Sequence, residues 1–478
     1  MIAPPSRWAS TGLKRNHRRA FLRWFGRAAV ACAALLFASG CASSGRTPPP
    51  VPSGPQGAGD PPPVTDGDVT AASVRGMQVL IKRIPGAELV AGQLVILGGV
   101  RNWGKADAGV EQLALAVSAS GGTESLDKDA FTKRLATLGS MLGAVAGNDF
   151  STFRAKSLRA NWDATFELLV EAFLHPALPP AEIELQRQQQ LSALKHEQED
   201  PDGLLSLISH QKLFTGHPYE NRAIGTLETV SKLSRDQLRS HLDKLRQTGR
   251  LMLVVVGDVE PEHITARARD LLGQLPKGDY QQRPLPPIRF EQATVTTVGK
   301  DLPTNYILST FPAPGWPDAD FPAAMVAMTV LGWREWIEVR TKRNLSYAPH
   351  AGMVAASEVA RGTLYVTAVD PTTTMRVMLD QARQLKQEAV PAGELEGDVS
   401  SFITGLMMAN ETTDGQAALL ARAQLLGHDW RLARSLPERM RAVTAQQIEA
   451  FASKYIVNLQ TVVLGDPKKV DAALLSSL

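Results

Sequence analysis

Two stretches of this chain, whose closing glycines Gly257 and Gly465 lie 208 residues apart, are built alike, and any fold must accommodate both. Leu233-Ser234-Arg235-Asp236-Gln237 opens one helical pattern and Val443-Thr444-Ala445-Gln446-Gln447 opens another, each with a Ser or Thr followed three residues later by Gln. At that spacing the hydroxyl accepts a free N–H of the first turn while the Gln side chain reaches back to the cap residue, closing the helix start reciprocally. Each helix leads into an apolar strand that ends in Gly-Asp, at Gly257-Asp258 and at Gly465-Asp466. The chain therefore reads as α+β, a tandem duplication of an α/β domain of about 200 residues.

Around these modules the hydrophobic pattern switches between periods of strand and helix. Val79-Leu80-Ile81 and Leu94-Val95-Ile96-Leu97 read as strands separated by turn signals at Pro85-Gly86 and Gly92. Helical periodicity begins at Gly109 and again over Lys128 to Leu142, and Asp149 to Leu158 alternates like a strand. Ala164 to Leu174 is an amphipathic helix stopped by His175-Pro176, and a long helix runs from Ala181 to about Glu199. In the second half, Glu338 to Tyr347 (EVRTKRNLSY) reads as a helix leaving through Arg340, a turn over Asn344 and a strand carrying Tyr347. Across such a turn the arginine and the tyrosine converge on one point, with Trp333, Trp336 or Ile337 sharing the arginine's helix face. The Pro-rich linker 276–288 divides an N-terminal domain, 73–275, from a C-terminal one, 289–478.

The first 40 residues differ from the rest, with seven Lys/Arg and no Asp or Glu. Without them the balance of Lys+Arg to Asp+Glu falls from 51 against 48 to 44 against 48, and the net charge from +3 to −4. A mildly acidic remainder has no electrostatic footprint for nucleic acid. Arg18-Arg19-Ala20-Phe21-Leu22-Arg23 resembles a twin-arginine export signal, and the apolar run Ala28 to Phe37 is too short for a permanent span. The run ends at Ala38-Ser39-Gly40-Cys41, which resembles the lipobox of bacterial lipoproteins. That resemblance implies removal of residues 1–40, a lipid on Cys41, and anchoring at the periplasmic side of a bacterial membrane. Residues 41–72 are Pro/Gly-rich with few large apolar side chains and read as a tether. Since Cys32 and Cys41 are the only cysteines, the mature chain is expected to have no internal disulfide.

Several local segments then fall into one order. Leu138-Gly139 through Asp149-Phe150-Ser151-Thr152-Phe153, His217-Pro218-Tyr219, and Arg340 to Tyr347 resemble the LGA…D-x-T-x-x, HPYG and LREKRGLAY segments of the pitrilysin/insulinase metallopeptidases. The resemblance spans residues 73–478 and implies one half of a peptidase clamshell, each domain a mainly antiparallel sheet flanked by helices. Catalytic members carry H-x-x-E-H on a first-domain helix: two His one turn apart hold zinc, the Glu serves as general base, and a later Glu completes the site. Here Gln112 stands at the first His, Leu115 at the Glu, Ala116 at the second His and Ala193 roughly at the third ligand. Leu and Ala have no lone pair to give, so no zinc is expected on this chain. No two of the nine histidines are four apart; His196-Glu197 reads as a solvated helix face, Glu111 has no neighbours to hold a metal, and His217 reads as a capped turn residue before Pro218.

Arg340 and Tyr347 keep the residue types and spacing of the family's pair, with Asn344 in place of the turn glycine. The resemblance implies that Arg340 holds substrate carbonyls and that the Tyr347 hydroxyl stabilises the oxyanion. An empty zinc face beside a retained Arg/Tyr pair resembles the non-zinc-binding subunit of heterodimeric members. The expectation is a lipoprotein that pairs with a zinc-binding H-x-x-E-H homologue to cut peptides, the zinc being on that partner. The alternative is a catalytically inactive peptide-binding or assembly scaffold of the same fold.

Overall fold

The computed structural model describes residues 60–286 and 288–478. The segment read as an export signal, and Cys41, lie outside these residues. Among the described residues no helix is long and apolar enough to cross a membrane. The first sheet contains β1 (Val64–Asp66), β2 (Val69–Val74), β3 (Met77–Arg83), β4 (Leu89–Leu97), β5 (Met141–Val145), β6 (Phe150–Leu158) and β7 (Leu251–Gly257), in the order β1-β2-β3-β7-β4-β6-β5. The second contains β8 (Thr294–Gly299), β9 (Asn305–Pro312), β10 (His350–Val354), β11 (Arg361–Ala368) and β12 (Gln460–Gly465), in the order β10-β11-β9-β12-β8.

The duplication is one of topology. Strand β7 runs parallel to β3 and antiparallel to β4, just as β12 runs parallel to β8 and antiparallel to β9. Antiparallel neighbours then lead outward to β5 in one sheet and β10 in the other, each at an edge. Both expected capping boxes are present, at Ser234 with Gln237 and at Thr444 with Gln447.

Four local expectations are corrected. Strand β1 and the first four residues of β2 fall within the segment read as tether: Gly67-Asp68 makes the hairpin turn, with Gly67 at φ 64°, and Val69 and Ala72 are buried. Arg431 and Arg434 hold Asp66, so this hairpin is also tied to the second half. Gly92 lies inside β4 rather than in a turn, because a Cβ there would sit 2.3 Å from the Trp162 ring. The helix expected to reach Leu142 ends at Leu138, since Gly139 adopts φ 59° and the chain turns into β5. Finally, the strand expected to carry Tyr347 begins only at His350.

Each half has its own core. Helices Val110–Ser120, Trp162–Leu174, Arg235–Leu245 and Pro261–Leu272 bury Leu113, Phe166, Leu242 and Ile264 against one face of the first sheet. Helices Phe321–Glu335, Pro371–Gln387 and Ala445–Tyr455 do the same on the second. The opposite faces are covered by exchange. Helix Thr413–Gly427, from the second half, places Ala417, Leu420 and Ala421 on Leu80, Val95 and Val254 of the first sheet. Helix Pro201–Leu213, from the first half, places Leu205 on Val462 and Leu464 of the second. A buried leucine contributes about 1.5–3 kcal/mol, so each half stabilises the other.

Candidate functional site

The helix that carries the degenerate zinc positions, Val110–Ser120, packs beside β5 and the long helix Pro180–Glu199. Leu115 is fully buried in the core, whereas Gln112 and Ala116, one turn apart, are partly exposed on the same side. Gln112 Oε1 accepts the Ala146 N–H at 3.0 Å, so its amide tethers the end of β5. Ala193 is exposed on the facing helix. Among the described residues no three His, Cys, Asp or Glu side chains converge as metal donors. Zinc therefore does not fit the residues present on this face. Glu111 is turned inward, accepting from the Ser151 hydroxyl and lying 2.8 Å from His241 Nε2. The carboxylate stands between serine and imidazole, so His241 is not placed to take the serine proton. His196 lies on an exposed face, Glu197 pairs with Arg222, and His217 caps its turn by accepting the Tyr219 N–H on Nδ1.

The stretch from Glu338 to Tyr347 is more specifically built. Helix Phe321–Glu335 runs on as a π-helical turn, Trp336–Thr341, in which the Lys342 N–H reaches the Ile337 carbonyl. Asn344 reverses the chain at φ 50°, the left-handed geometry that Asn tolerates best among non-glycine residues. The wider turn stacks Trp336 under Arg340, whose guanidinium carbon lies 3.9 Å from the Trp336 ring centre and 3.6 Å from that of Tyr347. Arg340 Nη1 also donates to the Tyr347 carbonyl at 3.2 Å. Glu338 is taken by Lys342 and Arg343, and Arg340 makes no ion pair among the described residues. Tyr347 is 73% exposed and its hydroxyl bonds to no described residue. The structure thus brings together Arg340 and Tyr347, with Trp336 as the wall.

Directly before the π turn sits a group that sequence reasoning passes over. Glu335 is fully buried, neither carboxyl oxygen has a hydrogen-bond partner among the described residues, and burial holds its pKa well above the ordinary value. Its position four residues from Leu331 and Val339, both buried, was the available signal, an acid on an apolar helix face. Orphaned buried acids and π turns both concentrate at functional sites.

A second cluster joins the halves. Arg101 Nη2 contacts Asp149 Oδ1 and, at 2.8 Å, Glu358 Oε1; the Tyr219 hydroxyl donates to Asp149, and the Glu358 N–H reaches Asp149 Oδ2 at 3.0 Å. Burial opposes the Arg101 charge, but Asp149 and Glu358 outweigh it and hold the pKa above its usual range. Burial, then Asp149, pushes the Tyr219 hydroxyl well up. Asp149 and Tyr219 belong to two of the segments singled out in the sequence, whereas nothing there marks Arg101 or Glu358.

Comparison with known proteins agrees with this arrangement. A family model for the insulinase peptidases, family M16, matches residues 78–227, and the model for the M16 inactive domain matches residues 232–401. An uncharacterized zinc protease of Mycobacterium leprae is 22% identical over 328 residues, covering 67% of this chain and 74% of that one. A peptidase M16 inactive domain from Pseudomonas fluorescens superposes with a TM-score of 0.76 at 19% identity, over 84% of this chain and 98% of that one. A protease from Helicobacter pylori gives 0.75 at 17% identity, over 83% and 99%.

Proposed function

The chain belongs to the insulinase, or pitrilysin, family of peptidases, and from that premise we propose that it is the non-zinc-binding subunit of a two-chain metallopeptidase. The observation that carries the reading is an asymmetry within one chain. Gln112, Leu115, Ala116 and Ala193 offer no set of metal donors, while Arg340 is held between two aromatic rings and, among the described residues, pairs with no carboxylate, and the exposed Tyr347 hydroxyl bonds to none of them. Paired with a homologue that keeps H-x-x-E-H and its zinc, the chain contributes a cation for substrate carbonyls and a hydroxyl for the oxyanion. A donor of that kind is worth about 10²–10³ in rate.

Strand β5 supports a peptide as the substrate. It ends the first sheet beside Gln112 and Ala116, with Met141 70% exposed, and an edge strand presents unpaired N–H and C=O groups to an extended chain. The export signal and Cys41 place the pair on the periplasmic side of a bacterial membrane in this reading, lipid-anchored. Membrane association lost in Cys41→Ala supports the anchor, and association retained overturns it.

The test is reconstitution. Neither subunit alone is expected to hydrolyse peptides, the mixture hydrolyses them, and Tyr347→Phe lowers kcat of the mixture by about 10²-fold or more. Hydrolysis unaffected by Tyr347→Phe removes the role given to the hydroxyl. Peptide binding by this chain with no hydrolysis in any mixture favours the scaffold instead, which the open β5 edge serves equally well.

A further inference from the structure

We infer that Arg101, Asp149 and Glu358 form a proton-controlled clamp on the β10–β11 hairpin, one that sets how firmly the turn carrying Tyr347 is held. The inference rests on the reading of that turn as the working site. The hairpin loop, residues 355–360, belongs to the second half, yet its tip is buried in the first: Val359 packs with Val100, Phe214 and Tyr219. The Glu358 N–H donates to Asp149 and its side chain accepts from Arg101 and from Gln282 of the linker. Strand β10 is an edge strand paired only with β11, and it starts three residues after Tyr347. Holding the loop tip therefore fixes the far end of the strand on which Tyr347 depends.

The charges make this hold respond to protons. The titratable or charged groups facing Glu358 include Asp149, Arg101, Tyr219 and Tyr280, with Gln282 its neutral donor; His217 faces Asp149 and Arg101 in turn, and His350 opens β10, desolvation lowering the pKa of both imidazoles. Asp149 already takes Arg101, the Tyr219 hydroxyl and a backbone N–H. An ionised Glu358 adds a second negative charge to a buried site with one guanidinium, and burial followed by Asp149 raises its pKa above the ordinary 4.5. Released from the clamp, the same side chain titrates in water. The closed hairpin thus binds the proton more tightly than the open one, so closure is strongest below about pH 4.5 and weakens as pH rises through the raised value. Each pH unit by which the closed value exceeds the open one is worth tenfold in the opening equilibrium.

Hydrogen exchange on the isolated full chain tests this without any partner or peptide, so its outcome is independent of the two-subunit reading. Protection factors of the β10 amides, referred to those of β7 in the same sample, are expected to fall severalfold as pH rises above the ordinary carboxyl value of 4.5 through the raised one. In Glu358→Gln, which removes this titration, the fall of the same ratio is expected to be markedly smaller than in the wild type. Gln282→Ala, on the exposed linker, removes a donor to the ionised form and shifts the wild-type midpoint to higher pH, which keeps the test available if Glu358→Gln fails to fold. A β10 ratio independent of pH in the wild type, or an unchanged pH dependence in Glu358→Gln, overturns the clamp, as does an unmoved midpoint in Gln282→Ala.

Discussion

The Arg340 guanidinium carbon lies 3.6 Å from the centre of the Tyr347 ring, and the same guanidinium donates to the Tyr347 carbonyl. One residue therefore holds both the ring and the backbone of the other, and the pair moves as a unit. Lysine keeps the charge of Arg340 but has no planar face to lie between two rings. Arg340→Lys is accordingly expected to lower kcat/KM of the reconstituted peptidase by at least about tenfold, while the exposed stack contributes only about 0.5–1 kcal/mol to stability. Steady-state kinetics beside a denaturation curve separates the two effects; an activity equal to wild type removes Arg340 from the site.

Glu335 makes the opposite prediction, a gain. A buried carboxyl without partners costs roughly 1–3 kcal/mol relative to an apolar side chain of similar size, so Glu335→Leu should raise the unfolding free energy by about that amount. The sign of the pH dependence follows from its raised pKa. Protonated Glu335 suits the fold and ionised Glu335 does not, so its contribution is most favourable below its ordinary value of 4.5 and is lost as pH rises toward the folded value. The advantage of the leucine variant should therefore widen with pH in urea titrations. A variant no more stable than wild type at pH 8 means the buried carboxyl is satisfied in solution.

What could be read in the sequence divides along physical lines. Capping boxes at Ser234 and Thr444 are local, and they located both closing modules and the duplication. The turn at Asn344 is local too, and its left-handed geometry follows from residue type. By contrast, helix Phe321–Glu335 meets β10 so closely that a Cβ on Gly332 would come within 3.0 Å of the Ala351 carbonyl oxygen, and the π turn follows directly on that helix. That contact is tertiary, and no period in EVRTKRNLSY announces it. Arg101 and Glu358 lie 257 residues apart and meet where Val359 of the second half packs on Val100 and Tyr219 of the first.

The lack of metal donors at Gln112, Leu115, Ala116 and Ala193 gives a prediction about metal removal. Leu115 is fully buried, so the position of the general base has become core. Folding that does not depend on a metal is insensitive to chelation. The melting temperature of the isolated chain should be the same with and without EDTA, and metal analysis of the purified protein should give well below one zinc per chain. A melting temperature that drops on chelation, or stoichiometric zinc, would mean that other residues have taken over the site.

The exchange of helices predicts how the chain unfolds. Leu420 sits on the first sheet although it belongs to the second half, and Leu205 sits on the second although it belongs to the first. Cut in the 276–288 linker, each half would expose an entire apolar sheet face, whereas the intact chain covers both. The two halves are therefore expected to unfold in one transition, despite having separate cores. Leu420→Ala, which opens a cavity under the exchanged helix, should cost about 2–5 kcal/mol and should lower the midpoint measured at either core equally. Fluorescence of Trp162, in the first core, and Trp316, in the second, reports the two sites when the other tryptophans are replaced. Two separated transitions, with only the Trp162 signal shifted by Leu420→Ala, would show that the halves fold independently and that the exchanged helices merely rest on each other's sheets.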